Sequence, residues 1–141
     1  VAKELEKIVD GSKWLFKSPY SVKETIDRLL KAIDKNPEVL QYDRIDQQAV
    51  SRIAGKEVRP AECVFFQNSE LVGLLLSLNI RTAEVLPMQA VAYEDDEGQV
   101  WLVTNNPNYM DEHYNLNGGG GLIAQINVLF PGWIAQALDD N

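Results

Sequence analysis

Cysteine occurs once, at position 63, and histidine once, at position 113, in a chain of 141 residues. A lone thiol closes no internal disulfide, and no CxxC, CxxCH or HExxH spacing is present, which excludes those zinc and covalent-haem motifs. Basic residues nearly vanish from the second half. Residues 60–141 hold one, Arg81, against eleven acidic residues, a net of −10, whereas residues 1–59 hold twelve basic and ten acidic, a net of +2. A nucleic-acid surface needs clustered cations to displace counterions from phosphates, so no nucleic-acid partner is expected. No apolar run reaches about 18 residues, so no membrane span is expected either. The glycine run Gly118–Gly121 has neither GxGxxG spacing after a strand nor a following Gly-Lys-Ser, and is not a phosphate loop.

What is present suits one folded domain. The chain is 45% hydrophobic and 24% charged, and at this size roughly 68% of the unfolded surface is buried on folding, enough for a core without disulfides. Freedom from disulfides leaves cytoplasm and periplasm both open. The chain starts at Val1 rather than Met, which is compatible with a removed start residue or signal peptide, and a periplasmic or secreted location is the preferred expectation.

Periodicity and punctuation place the elements. Ala2–Asp10 reads as a short amphipathic helix closed by Gly11, and Lys13–Lys17 as a strand. Ser21 and Glu24 form a capping box, and Val22, Ile26, Leu29, Leu30 and Ile33 make an apolar stripe over three turns that Pro37 ends. Val39–Ile45 is a strand, and Asp46 caps a short helix that stops at Gly55. Glu62–Gln67 is apolar on both faces and so an interior strand, and Asn68 or Ser69 caps Leu71–Leu78, a helix apolar nearly all round and expected to be well buried. Val85–Glu94 and Gln99–Asn105 form a hairpin, and Pro107 opens a helix through His113. Gly118–Gly121 reads as a flexible joint, followed by two helical pieces, Leu122–Phe130 and Trp133–Leu138, broken at Pro131-Gly132. The fold class expected is α+β: one domain over residues 1–116 with a mainly antiparallel sheet backed by helices, and a joint and apolar helical tail over 117–141.

Five stretches resemble the bacterial family called domain of unknown function 302: SPYSVKETIDRLL (Ser18–Leu30), YDRIDQQAVSRIAGKEVRP (Tyr42–Pro60), FF with Asn68 behind it, LPMQAVAYEDDEGQVWL (Leu86–Leu102) and NPNYMDEHYNL (Asn106–Leu116). Their order and spacing carry the resemblance, over about 100 of the 141 residues. It implies a small α+β fold with a curved antiparallel sheet, and no particular reaction. The family's usual Gly-Asn-Pro after the central strand is here Gln67-Asn68-Ser69, which keeps only Asn68. Some branches carry cysteines at positions aligning roughly with Gln67 and Met88, so the thiol or soft-metal role that such a pair implies lacks its ligands in this chain.

The candidate site residues follow from chemistry. Cys63 reads as a core thiol, since a nucleophile needs a base and His113 is the one histidine available. His113, with Tyr109 and Met110 at i−4 and i−3, presents a set able to ligate haem iron. Arg44 and Arg59 at strand ends either grip a carboxylate or phosphate bidentately or pair with Asp43, Asp46 or Glu57. Met88, Tyr93 and Trp101 on the hairpin either line a pocket or cover the core, and the acidic run Glu94–Glu97 reads as a solvated tip lacking a calcium loop. No catalytic constellation and no metal set is legible. The expected function is a non-enzymatic module binding a small apolar ligand or a protein, with Arg44, Arg59, Asn68, Met88, Tyr109 and His113 as ligand-binding candidates. The alternative is a haem- or metal-binding redox accessory protein built on His113. The uncharged tail, which carries no ionisable side chain except Tyr114 between His113 and Asp139, either packs on its own domain or joins copies into a homo-oligomer.

Overall fold

In the computed structural model, which describes residues 6–139, six antiparallel strands form one open sheet in the order β1-β2-β6-β5-β4-β3. The strands are β1 (Lys7–Asp10), β2 (Lys13–Ser18), β3 (Val39–Asp46), β4 (Ala61–Asn68), β5 (Met88–Glu94) and β6 (Val100–Asn105). The helices are α1 (Val22–Asp34), α2 (Gln47–Ile53), α3 (Ser69–Leu78), α4 (Pro107–His113) and α5 (Leu122–Leu138), with a 3-10 turn at Ile80–Val85.

Alternation along the strands decides which side carries the helices. Trp14, Phe16, Val64, Phe66, Met88, Ala90, Ala92, Val100 and Leu102 are buried on one face, and α1 and α5 lie against it. Helix α1 contributes Val22, Ile26, Leu29 and Ile33, the stripe its sequence lays out, and starts where the Ser21 hydroxyl accepts from the Glu24 N–H. Helix α5 brings Phe130 and Trp133 edge-on to Phe66, each with ring centroids 6.3 Å away. On the opposite face the paired row Leu15, Val103, Val91, Cys63 and Ile45 is half-buried except at Cys63, which is 2% exposed. There α2 is the one helix over the sheet among the described residues, its Gln47 amide 3.7 Å from the Cys63 sulfur.

Several expectations need correction. Lys7–Asp10 is a strand, turned into β2 by Gly11 at φ 56°, because Ile8 and Val9 pair with Leu15 and Trp14 rather than stack on a helix; the preceding part of that stretch, 1–5, lies outside the described residues. The hairpin's first strand starts at Met88, since Val85 ends the 3-10 turn and Pro87 has no N–H for a ladder. Pro131 does not split the tail: α5 runs unbroken from Leu122 to Leu138. A helical proline costs about 3 kcal/mol, but α5 buries eight side chains distributed on both sides of it, at roughly 1.5–3 kcal/mol for each large one. Helix α3 is not well buried. Only Leu71 and Leu75 are buried, because the elements packed against the helix, β4, the 3-10 turn and the glycine turn, leave its outer side open.

The glycine run is an ordered turn rather than a loose joint. Asn117 through Gly121 all have positive φ, between 53° and 96°, a left-handed run that side chains disfavour by about 1–2 kcal/mol per residue. At Gly119 a Cβ would stand 3.2 Å from both Leu122 Cβ and Leu78 Cδ1, so the turn is seated between α3 and α5. The stretch read as a tail shares the main core. Its end is held by Arg28, whose guanidinium donates to the carbonyls of Ala137 at 2.5 Å and Asp139 at 2.7 Å, and by the Tyr20 hydroxyl, which also donates to the Asp139 carbonyl. By length and composition the run Asn117–Leu138 is long and apolar enough to cross a membrane, yet here its apolar stripe faces α1 and Phe66.

Candidate functional site

The six candidate side chains fall in four places. Arg44 sits on the helix-bearing face of β3, opposite Val64, where it donates to Glu62 at 2.7 Å, to Asp27 of α1 at 2.6 Å and to the Lys23 carbonyl. Its hydrogen bond, after that of Lys23, holds the Asp27 carboxyl below the usual aspartate value. Arg59 donates to Glu94 at 2.8 Å and to the Asp96 carbonyl, clamping the chain to the hairpin tip. Both guanidinium forks are thus occupied by intramolecular acceptors, though not by Asp43, Asp46 or Glu57. Asn68 is the N-cap of α3, its amide oxygen accepting from the N–H groups of Glu70 and Leu71. Met88 is core. At the tip, Asp95 accepts from the Trp101 indole and from the backbone of Gln99 and Glu97, the indole chiefly lowering its pKa.

Tyr109 and His113 do meet. One helical turn apart on α4, their rings stack at 5.4 Å and 11°. Met110, the proposed thioether partner, is instead buried in the core. His113 stands edge-on to Tyr114 at 4.7 Å, and the Tyr114 hydroxyl donates to Glu84 at 3.2 Å. Arg81 donates to the same carboxylate at 3.1 Å and lies over the Tyr114 ring. The Glu84 pKa falls, first through Arg81 and, less, through Tyr114 and the charge of His113; that of Tyr114 rises, through burial first and then Glu84. Asn79 completes the junction: its carboxamide oxygen caps the 3-10 turn at Arg81 and its NH2 donates to the Tyr114 carbonyl.

Beside this junction α3 turns leucines outward. Leu74 and Leu78 are nearly half exposed and Ile80 is 72% exposed, in a stretch without a charge between Glu70 and Arg81. The apolar helix therefore shows solvent a neutral surface bordered by Arg81, His113 and Tyr109, a composition typical of protein interfaces, where aromatics and arginine are enriched. The sequence reading missed Asn79, Arg81, Glu84 and Tyr114. The Asn79 side-chain cap was the available signal, because an asparagine directly after a helix starts a new turn by binding the next N–H groups.

A groove of about 310 Å³ between α1 and α5 is lined by Glu24, Asp27, Arg28, Lys31, Ala32, Lys35 and Gln136. Six of these seven side chains are charged or carry an amide, unlike the mostly apolar set that lines pockets for small hydrophobic ligands. Among the described residues no three His, Cys, Asp or Glu side chains gather as a metal set would.

Comparison with known proteins adds three findings. The family model described as domain of unknown function DUF302 matches residues 14–126. The crystal structure of an uncharacterized conserved DUF302 protein from Bacillus stearothermophilus superposes with a TM-score of 0.73 at 17% identity, covering 92% of this chain and 98% of that one. Proteins named fluoride-specific ion channel from Brucella suis, Brucella abortus and Brucella melitensis are 33% identical over 133 residues, which is 94% of this chain. The chain spans about half the length of these curated relatives, 52% of the first and 48% of the other two.

Proposed function

Because the chain belongs to the DUF302 family, and its matched relatives are twice its length, we propose that it is a non-enzymatic interaction module that serves a membrane-embedded anion channel. The observation that carries this reading is the neutral, leucine-rich outer surface of α3 and the following turn, formed by Leu74, Leu78 and Ile80 with Tyr109, His113 and Arg81 at its border. Contiguous exposed apolar surface of this kind marks contact sites. The relatives supply the partner's nature. They are named as fluoride-specific ion channels, the matched half corresponds here to an α+β domain, and a conducting pore must be closed in lipid by helices or a barrel. An open six-stranded sheet with α5 packed on its core does not by itself line such a pore, which supports a reading in which the unmatched half conducts and the domain makes contact.

Small-ligand capture is the weaker form of the module, given the charged lining of the α1–α5 groove. The redox reading on His113 draws only on the Tyr109 stack.

The test is affinity purification of the tagged chain from detergent-solubilised membranes of its own host, with mass spectrometry for a fluoride-channel polypeptide. The expected result is recovery of that polypeptide with the unsubstituted chain and its loss with Leu74→Glu/Ile80→Glu, at unchanged circular dichroism. Absence of the channel polypeptide from both samples would overturn the reading.

A further inference from the structure

Helix α2 is built inside out. Its half-buried positions are Gln48 and Ser51, while Ala49, Val50 and Ile53 point to water, Ile53 at 87% exposure and Val50 at 50%. The polar side is satisfied at home: Gln48 donates to the Val58 carbonyl, Gln47 reaches Cys63, and Ser51 bonds back to the Gln47 carbonyl. No residue of the helix is buried. An isolated helix of this length has little stability of its own, and surface helices ordinarily turn their apolar stripe inward. Leu40, Tyr42 and Val58 are also about half exposed, so five of the twelve large apolar side chains left open among the described residues belong to the segment 40–58.

Charge along α2 is polarised. Asp43 and Asp46 precede it, the intervening Arg44 being engaged by Asp27 and Glu62; Arg52 stands in its last turn, only loosely against Glu57 at 3.6 Å, and Lys56 follows it. The surface that complements an apolar strip with an acidic end and a basic end is the same strip reversed. We propose that α2 is an isologous dimer contact, packing antiparallel on α2 of a second copy about a two-fold axis close to Val50, the middle residue of the helix. In that arrangement Val50 meets its own mate, each Ile53 stands level with the mate's Gln47, and each acidic end faces the mate's basic end with the helix dipoles opposed. Leu40 and Tyr42, on the same open face of the sheet, extend the contact along β3. A contact built from one two-turn helix and part of one strand is small, so a reversible dimer is expected, with a dissociation constant on the order of micromolar.

Sedimentation equilibrium of the full chain, with oxidative cross-linking of single-cysteine variants, tests this. The native Cys63 is buried and supplies no background. Val50→Cys should form a disulfide-linked dimer, because a residue on the axis meets its own mate, whereas Val128→Cys, on the exposed side of α5, should not. Ile53→Glu should raise the dissociation constant at least tenfold and leave the far-ultraviolet spectrum unchanged, since so exposed a side chain supports nothing in its own fold. A monomer at all concentrations, a dimer indifferent to Ile53→Glu, or cross-linking at 128 but not at 50 would each overturn the proposal.

Discussion

Helices α5 and α2 both carry prominent apolar residues, yet one disappears into the core and the other shows its isoleucine to water. Helix α5 crosses the face of the sheet that presents Phe66, Ala90 and Leu102, beside the apolar stripe of α1. Helix α2 lies at the edge of the other face, tied down by amide and hydroxyl groups. The difference lies in what each meets. An apolar residue is stabilising only where topology brings it a partner, and the exposed apolar side chains of α2 are available for an intermolecular one.

The sharpest way to break this comparison is to truncate one isoleucine in each helix. Ile134→Ala in α5, where the side chain is 1% exposed, should cost about 2–5 kcal/mol. Ile53→Ala in α2 should change the monomer's stability by less than about 0.5 kcal/mol, both read from urea unfolding at dilute protein. Equal losses would mean that α2 is buried within the monomer. A smaller effect is expected in the turn that leads into α5. Gly119→Ala should destabilise by roughly 1–2 kcal/mol through its left-handed backbone, with a further loss from the contacts at Leu78 and Leu122. Gly120→Ala, whose Cβ meets open space, should show the backbone part alone.

The smallest effect concerns the α1 side of β3. The folded pKa of Asp27 is below its unfolded value, through Lys23 and Arg44, so the stabilisation is complete above the unfolded value of about 3.9 and is lost as pH falls through the folded one. Asp27→Asn should therefore narrow the stability gap to the native chain as pH is lowered below about 4. A gap independent of pH would mean that Asp27 acts by packing alone. Partial exposure of the pair keeps the effect under about 1 kcal/mol.

Where local chemistry decides, the sequence could be read correctly. The Ser21 cap and the stripe of α1, the Asp46 cap of α2, Pro107 at the start of α4 and the turn Asp95–Gly98 stand where their residues put them. Where tertiary partners decide, it could not. Pro131 carries a real local cost that burial on both sides of it outweighs, and the exposure of α3 depends on which of its sides β4 and the two turns around it cover. The site shows the same division. The Tyr109–His113 stack is a single-turn spacing visible in the sequence, whereas Arg44 finds Asp27 and Glu62 across 17 and 18 residues, and Glu84 finds Tyr114 across 30. Those separations are closed only by the strand order. The outward apolar side of α2 was legible in principle from Ala49, Val50 and Ile53 at i, i+1 and i+4 once the helix was placed.

The pairing of β2 with β6, Lys13 with Asn105 through Ser18 with Val100, also sets a timetable for synthesis. While the chain emerges from a ribosome, β2 has only the four-residue β1 as a strand partner, and its other edge stays unpaired until nearly ninety further residues have followed. Contacts so distant in sequence delay folding, because the chain must close a long loop before any of them forms. The N-terminal hairpin is therefore the first element made and among the last to be completed. A translational pause before β6 would prolong the nascent chain's dependence on chaperones, and a pause after it would not.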